Sequence, residues 1–151
     1  MQRFLSIIWR ENMSESAEDY IKTIYILKRR KGCVHSVDVA NELGYSKASI
    51  SVAMANLRKK EIIVMKKNGE IEFTEKGENV ALDIIEKHTT LSSFLQAVAG
   101  VDENTANKDA CRMEHIVSRS TFDGIKRYIK EHPELVAPDL YRKRAVGCDL
   151  A

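Results

Sequence analysis

The chain has 151 residues, of which 44% are apolar and 30% charged. A chain of this length buries roughly 70% of its unfolded surface, so one domain or two small ones are expected, and the composition excludes a disordered or membrane-spanning protein. The net charge of +2 is unevenly spread: residues 1–76 carry 14 basic against 10 acidic side chains and residues 77–151 carry 10 against 12, which directs any polyanionic partner to the first half.

Cys33, Cys111 and Cys148 are an odd, widely spaced set. That pattern argues against a secreted disulfide framework and for a reducing cytoplasm. The apolar start, with Phe4, Leu5, Ile8 and Trp9, is too short for a signal segment, and Arg10 and Glu11 interrupt it at once. Residues 1–12 read as an extension that packs on the body or as a non-native start, with Met13 as the alternative first residue.

The first helix is expected over about 17–30, with Ser16 as N-cap, an apolar face from Tyr20 to Leu27, and Gly32 as its stop. Residues 36–43 follow as a short amphipathic helix that Ser36 can cap. Gly44-Tyr45 makes a turn, and Ser46 caps a helix running to about Lys60. Two short helices joined by a glycine-containing turn form a helix-turn-helix. Residues 62–65 and 70–73 flank Asn68-Gly69, a strong hairpin signal. Thr74 caps a long helix over about 75–99, ended by Gly100. Further helices cover about 103–117 and 119–132, until Pro133. Residues 133–151 form a tail with a basic cluster, Arg142-Lys-Arg144.

A helix, a helix-turn-helix and a two-stranded wing, in that order, make a winged-helix domain. The mainly α chain therefore divides into a winged-helix segment at 13–76, a helical segment at 77–132 and the tail. From Leu43 to Lys60 there is no acidic residue, which suits an element that approaches phosphates. Ser46, Lys47, Ser49 and Ser51 at the amino end of the second helix allow close approach to duplex DNA. Lys66 and Lys67 at the wing tip can reach a flanking phosphate. These serines are not bidentate base readers, so part of the specificity is expected through water and DNA shape.

The second half carries Asp109-Ala-Cys111-Arg-Met-Glu114-His115. Cys111, Glu114 and His115 are spaced i, i+3, i+4 and share one helical face. A thiolate, a carboxylate and an imidazole together suit Fe(II), Mn(II), Co(II) or Zn(II) rather than Ca(II) or Mg(II). Three donors do not complete a site; Asp19 and His88 are the candidates to join them.

Taken together, Glu18–Tyr25, Val37–Leu43, Ser49–Ser51, Phe73–Gly77, Lys87-His88, Phe94-Leu95 and Asp109–His115 resemble the diphtheria-toxin-repressor family of metal-dependent regulators, including its manganese-responsive branch. The matches run in family order over about 16–130. The resemblance implies an N-terminal winged helix, a helical dimerisation domain, and a metal held by Asp19, Cys111, Glu114 and His115. Cys111 matches the iron-responsive branch and Asp19 the manganese-responsive one, so Fe(II) and Mn(II) are both implied. Lys22 stands where the manganese branch has a second Glu ligand, and an ammonium cannot ligate. Ser92 and Asn107 stand at two of the iron branch's three ancillary positions. Both departures argue against a second metal and leave His88 as a ligand or as a partner of one. No SH3-like domain follows residue 132, so the chain resembles the short members.

The implied function is a cytoplasmic, metal-activated repressor that binds palindromic duplex DNA as a homodimer, with no membrane partner and no enzymatic activity. The alternative is a winged-helix regulator that needs no metal, with Cys111 in the core or acting as a redox-sensing thiol. A small metalloenzyme and a protein-binding module are more distant readings; no general base accompanies the cluster, and the first would leave the wing unexplained.

Overall fold

The computed structural model describes residues 13–135. The expectations for residues 1–12 and for the basic cluster of the tail lie outside the described residues. The chain forms two compact units that part between Asp83 and Ile84.

The first unit opens with α1 (Glu15–Lys31). Its cap is Ser14, whose hydroxyl accepts the Ala17 amide at 3.3 Å, so the helix starts two residues earlier than expected. Ser14 is the residue with extended backbone, at φ −71° and ψ 152°; Ser16 is already helical and its hydroxyl does not serve as the cap. Ile21, Ile24 and Leu27 fill the buried face. Gly32 stops the helix at φ 86°, a conformation glycine adopts without strain.

Helix α2 (Ser36–Leu43) is entered through His35 rather than capped by Ser36. The His35 amide donates to the Asp38 carboxylate at 2.8 Å. Gly44 turns the chain at φ 67°, and α3 (Lys47–Lys59) follows with Ser46 as its cap. Ile50, Met54 and Leu57 anchor α3 in the core with Val39 and Ala40 of α2. This is the expected helix-turn-helix.

Strands β1 (Ile63–Met65) and β2 (Ile71–Phe73) pair antiparallel, with Ile63 opposite Phe73, Val64 opposite Glu72 and Met65 opposite Ile71. The period of two sends Ile63 and Ile71 inward and leaves Val64 exposed. One addition was not visible in the sequence: the Ile71 amide donates to Val34 at 2.7 Å and His35 bridges Glu70, so the segment before α2 borders the wing.

Helix α4 (Glu75–Val98) is capped by Thr74, as expected. Its hydroxyl accepts the Gly77 amide at 2.9 Å and donates to the Glu61 carbonyl at 2.6 Å. One side chain thus caps a helix and fixes the start of the wing.

The second unit holds the later part of α4, α5 (Glu103–Ile116) and α6 (Arg119–Glu131), followed by a short 3-10 turn at Pro133–Leu135. Asp102 and Ser118 cap α5 and α6 through the amides of Thr105 and Thr121. Leu91, Ala110 and Phe122, one from each helix, form a buried cluster with Met113, Val117 and Ile125 packed against it. The Lys87 ammonium donates to the Val117 carbonyl at 3.0 Å, which satisfies an acceptor just past the end of α5. Among the described residues, no helix is long and apolar enough to cross a membrane.

Candidate functional site

In the first unit, α3 turns Ile50, Met54 and Leu57 inward. Lys47, Ala48, Ser49, Ser51, Val52, Ala55 and Asn56 are exposed. Two of the expected DNA-contacting serines already have work. Ser46 accepts the Ser49 amide at 3.1 Å, and the two hydroxyls lie 2.9 Å apart. Lys47 and Ser51 present their side chains to solvent. Val52 and Asn56 join the expected serines on this surface, and their spacing from the buried Ile50 and Met54 puts both on the outer face.

At the wing, the Lys66 ammonium is engaged by two carboxylates, Glu72 at 2.9 Å and Glu70 at 3.1 Å. Lys28 of α1 reaches the same Glu72 at 3.0 Å. Lys66 and Lys28 together pull the Glu72 carboxyl down to about 2. Lys66 is a neutralised strut in this arrangement, whereas Lys67 is exposed at the wing tip. Glu70 and Glu72, four and six residues further along the hairpin, decide this, and the charge count of the tip alone does not reveal it.

In the second unit, α5 carries Cys111, Glu114 and His115 within its last two turns. The i, i+3, i+4 spacing does put them on one side of the helix. Glu114 is 1% exposed, and His88, from the middle of α4, is 3% exposed. Their Nδ1 and Oε2 atoms are 2.7 Å apart. The Cys111 sulfur lies 3.8 Å from the same Nδ1. Donor atoms of His88, Cys111 and Glu114 all fall within 4.8 Å of one another. The His115 Nε2 lies 3.6 Å from the other oxygen of Glu114, with its side chain 7% exposed. Asp19 sits half-buried in the second turn of α1, in the first unit.

A metal ion fits this donor set. A buried carboxylate needs compensating positive charge, and the imidazole nitrogens of His88 and His115 stand 2.7 and 3.6 Å from the two Glu114 oxygens. An imidazole nitrogen, a thiolate and a carboxylate oxygen within one ion's reach select a transition metal over Ca(II) or Mg(II). Ser92 and Asn107, which the resemblance places at two ancillary positions, are arranged differently. Ser92 donates to the Asn107 amide oxygen at 2.6 Å, and Gln96 donates to the Ser92 hydroxyl at 3.2 Å. Three neutral side chains there satisfy one another.

Comparisons with known proteins bear on both units. Residues 12–71 match the family domain described as iron dependent repressor, N-terminal DNA binding domain. Residues 74–135 match iron dependent repressor, metal binding and dimerisation domain. The chain is 32% identical over 122 residues to the HTH-type transcriptional regulator MntR of Listeria monocytogenes, covering 79% of this chain and 85% of that one. It is 29% identical over 125 residues to an uncharacterised HTH-type transcriptional regulator of Methanocaldococcus jannaschii, covering 82% of this chain and the whole of that one. Among solved structures, the metal-dependent transcriptional regulator MtsR superposes with a TM-score of 0.71 at 23% identity, over 78% of this chain and 55% of that one. The manganese regulator SloR gives 0.67 at 23% identity, over 78% and 55%. The chain thus spans about half the length of these two solved structures and most or all of the two sequence relatives. Winged-helix order, helical second unit, donor cluster and sequence relatives agree: the chain belongs to the diphtheria-toxin-repressor family of metal-dependent transcriptional regulators.

Proposed function

We propose that Asp19, Cys111, Glu114 and His115, with His88 beside them, hold the divalent cation that switches this repressor on. The observation that carries the reading is the buried Glu114 carboxylate, with His88 at 2.7 Å and Cys111 next to that imidazole. Asp19 enters on sequence alone, as a carboxylate on α1 at the family's ligand position. Fe(II) and Mn(II) are the activating metals; the relatives named for manganese and the family named for iron support both.

The cation supplies a positive centre that several donors share, so residues far apart in sequence become tied to one point. The chain's own residues then do the selective work. Residues 13–76 form the DNA-binding segment, and residues 77–132 carry the metal and make the dimer. A dimer bound to a palindrome must set two recognition helices about 34 Å apart to meet successive major grooves. An activator shifts that equilibrium only by as much as it prefers the DNA-competent arrangement. High metal therefore represses transcription. Lys47 and Lys67, with Ser46, Ser49 and Ser51, contact the duplex, and Lys66 braces the wing. The protein acts in the cytoplasm, where its DNA is, and performs no catalysis.

Asp19→Ala and His115→Ala test the site. Each variant keeps the wild-type fold by circular dichroism and loses most of the metal-dependent gain in DNA binding. A normal metal response in both variants would sink the proposed ligand set.

A further inference from the structure

We infer that Val52 is a base-reading residue, which recognises the C5-methyl group of a thymine in each operator half-site. The inference rests on the assignment of this chain as a DNA-binding regulator and adds what its recognition helix reads.

Val52 is 63% exposed on α3. The helix buries Ile50, Met54 and Leu57, and Val52 is turned away from that face. Two of its neighbours one turn away are Ala48 and Ala55, both exposed. Neither is long enough to hold Val52 away from a surface laid against the helix. A stiff, β-branched apolar side chain is poorly suited to solvent and is not needed by the core.

The major groove offers one apolar feature, the thymine methyl; every other base edge presents hydrogen-bond donors or acceptors. Valine packs against the methyl and has nothing to offer the cytosine amino group, which it would strip of water. The hydroxyls of Ser49 and Ser51 serve either donors or acceptors and discriminate weakly. Asn56, on the same exposed side, lies one turn further on. A preference for thymine on this surface therefore comes from a residue without hydrogen-bonding atoms in its side chain.

The test starts from a duplex selected from a random pool by the full-length, reduced protein with Mn(II) present. Thymines are then replaced one at a time by deoxyuridine, which removes only the methyl. The expected result is one methyl-sensitive thymine in each half-site, with affinity falling about 4-fold per site, the equivalent of ~0.8 kcal/mol for one buried methyl-sized group. Val52→Ala should bind the thymine duplex less tightly and respond to the uracil replacement no more than 1.5-fold or so. Its circular dichroism and Tm should match wild type, since the side chain is exposed. A selected duplex whose binding ignores every thymine methyl overturns the assignment. So does a Val52→Ala protein that keeps the full uracil penalty. Failure to select any duplex with Mn(II) or Fe(II) would instead strike the DNA-binding reading itself, and the assignment with it.

Discussion

Gly77→Ala places two ordinary rules in opposition, and the structure decides the winner. Gly77 lies in the first turn of α4, where alanine is the better helix former by about 1 kcal/mol. A Cβ at this position would stand 1.8 Å from the Ile62 carbonyl oxygen and 2.8 Å from its carbon, where ordinary contact begins near 3.4 Å. Both obstructing atoms are backbone, so no side chain can swing aside. The same Ile62 carbonyl accepts from the Thr74 amide at 3.1 Å, which ties the wing to the cap of α4. Relieving the clash means moving β1 away from that cap. Overpacking of this kind costs about 3 kcal/mol, so the substitution should destabilise by a net ~2 kcal/mol and lower the Tm by roughly 4–8 °C. Gly124→Ala on α6 is the control. There the new Cβ meets only the tip of Arg127 at 4.0 Å, and the propensity gain should raise stability by ~0.5–1 kcal/mol. Thermal unfolding of both variants by circular dichroism reads the two signs. An unchanged or higher Tm for Gly77→Ala would refute the close approach of α4 to the wing.

Other outcomes follow from the same geometry. Glu72 has its carboxyl held near 2 by Lys66 and Lys28, against 4.5 for the free group, so its contribution to stability is present above pH 4.5 and is lost as the pH falls towards 2. Glu72→Gln should flatten that part of the stability profile in acid titrations followed by fluorescence or circular dichroism; an unaltered profile would mean the ion pairs are not formed in solution. Excess Mn(II) at about 100 times its Kd should stabilise wild type by ~2.7 kcal/mol. Glu114→Gln and Cys111→Ser should lose most of that gain, and a full thermal rise in Glu114→Gln would remove Glu114 from the site.

Much of the fold was legible because local rules and tertiary packing agree. Ser46 and Thr74 cap the helices expected of them, and Asn68-Gly69 turns the wing with Gly69 at φ 81°. Errors fell where neighbouring residues compete for one role. Ser14 wins over Ser16 at the start of α1, and His35 with Asp38 replaces Ser36 at α2. The Cys111, Glu114 and His115 cluster was readable because its spacing is helical and local. His88 could be nominated, but its 2.7 Å approach to Glu114 spans 26 positions and depends on how α4 and α5 pack. The charge of Lys66 is legible in the sequence, and only the strand pairing reveals Glu70 and Glu72 beside it. The exposure of Val52 follows from its helical angle relative to Ile50 and Met54, although its apolar side chain by itself suggests the core.

The most direct test is an anaerobic titration of reduced, metal-free protein with Mn(II) and with Fe(II), while binding to duplex from its own upstream region or to a selected operator is followed. The account predicts saturable binding that appears only with metal and is abolished in Asp19→Ala and His115→Ala. Equal affinity with and without metal would contradict it and reduce the His88, Cys111 and Glu114 cluster to a structural feature of the second unit.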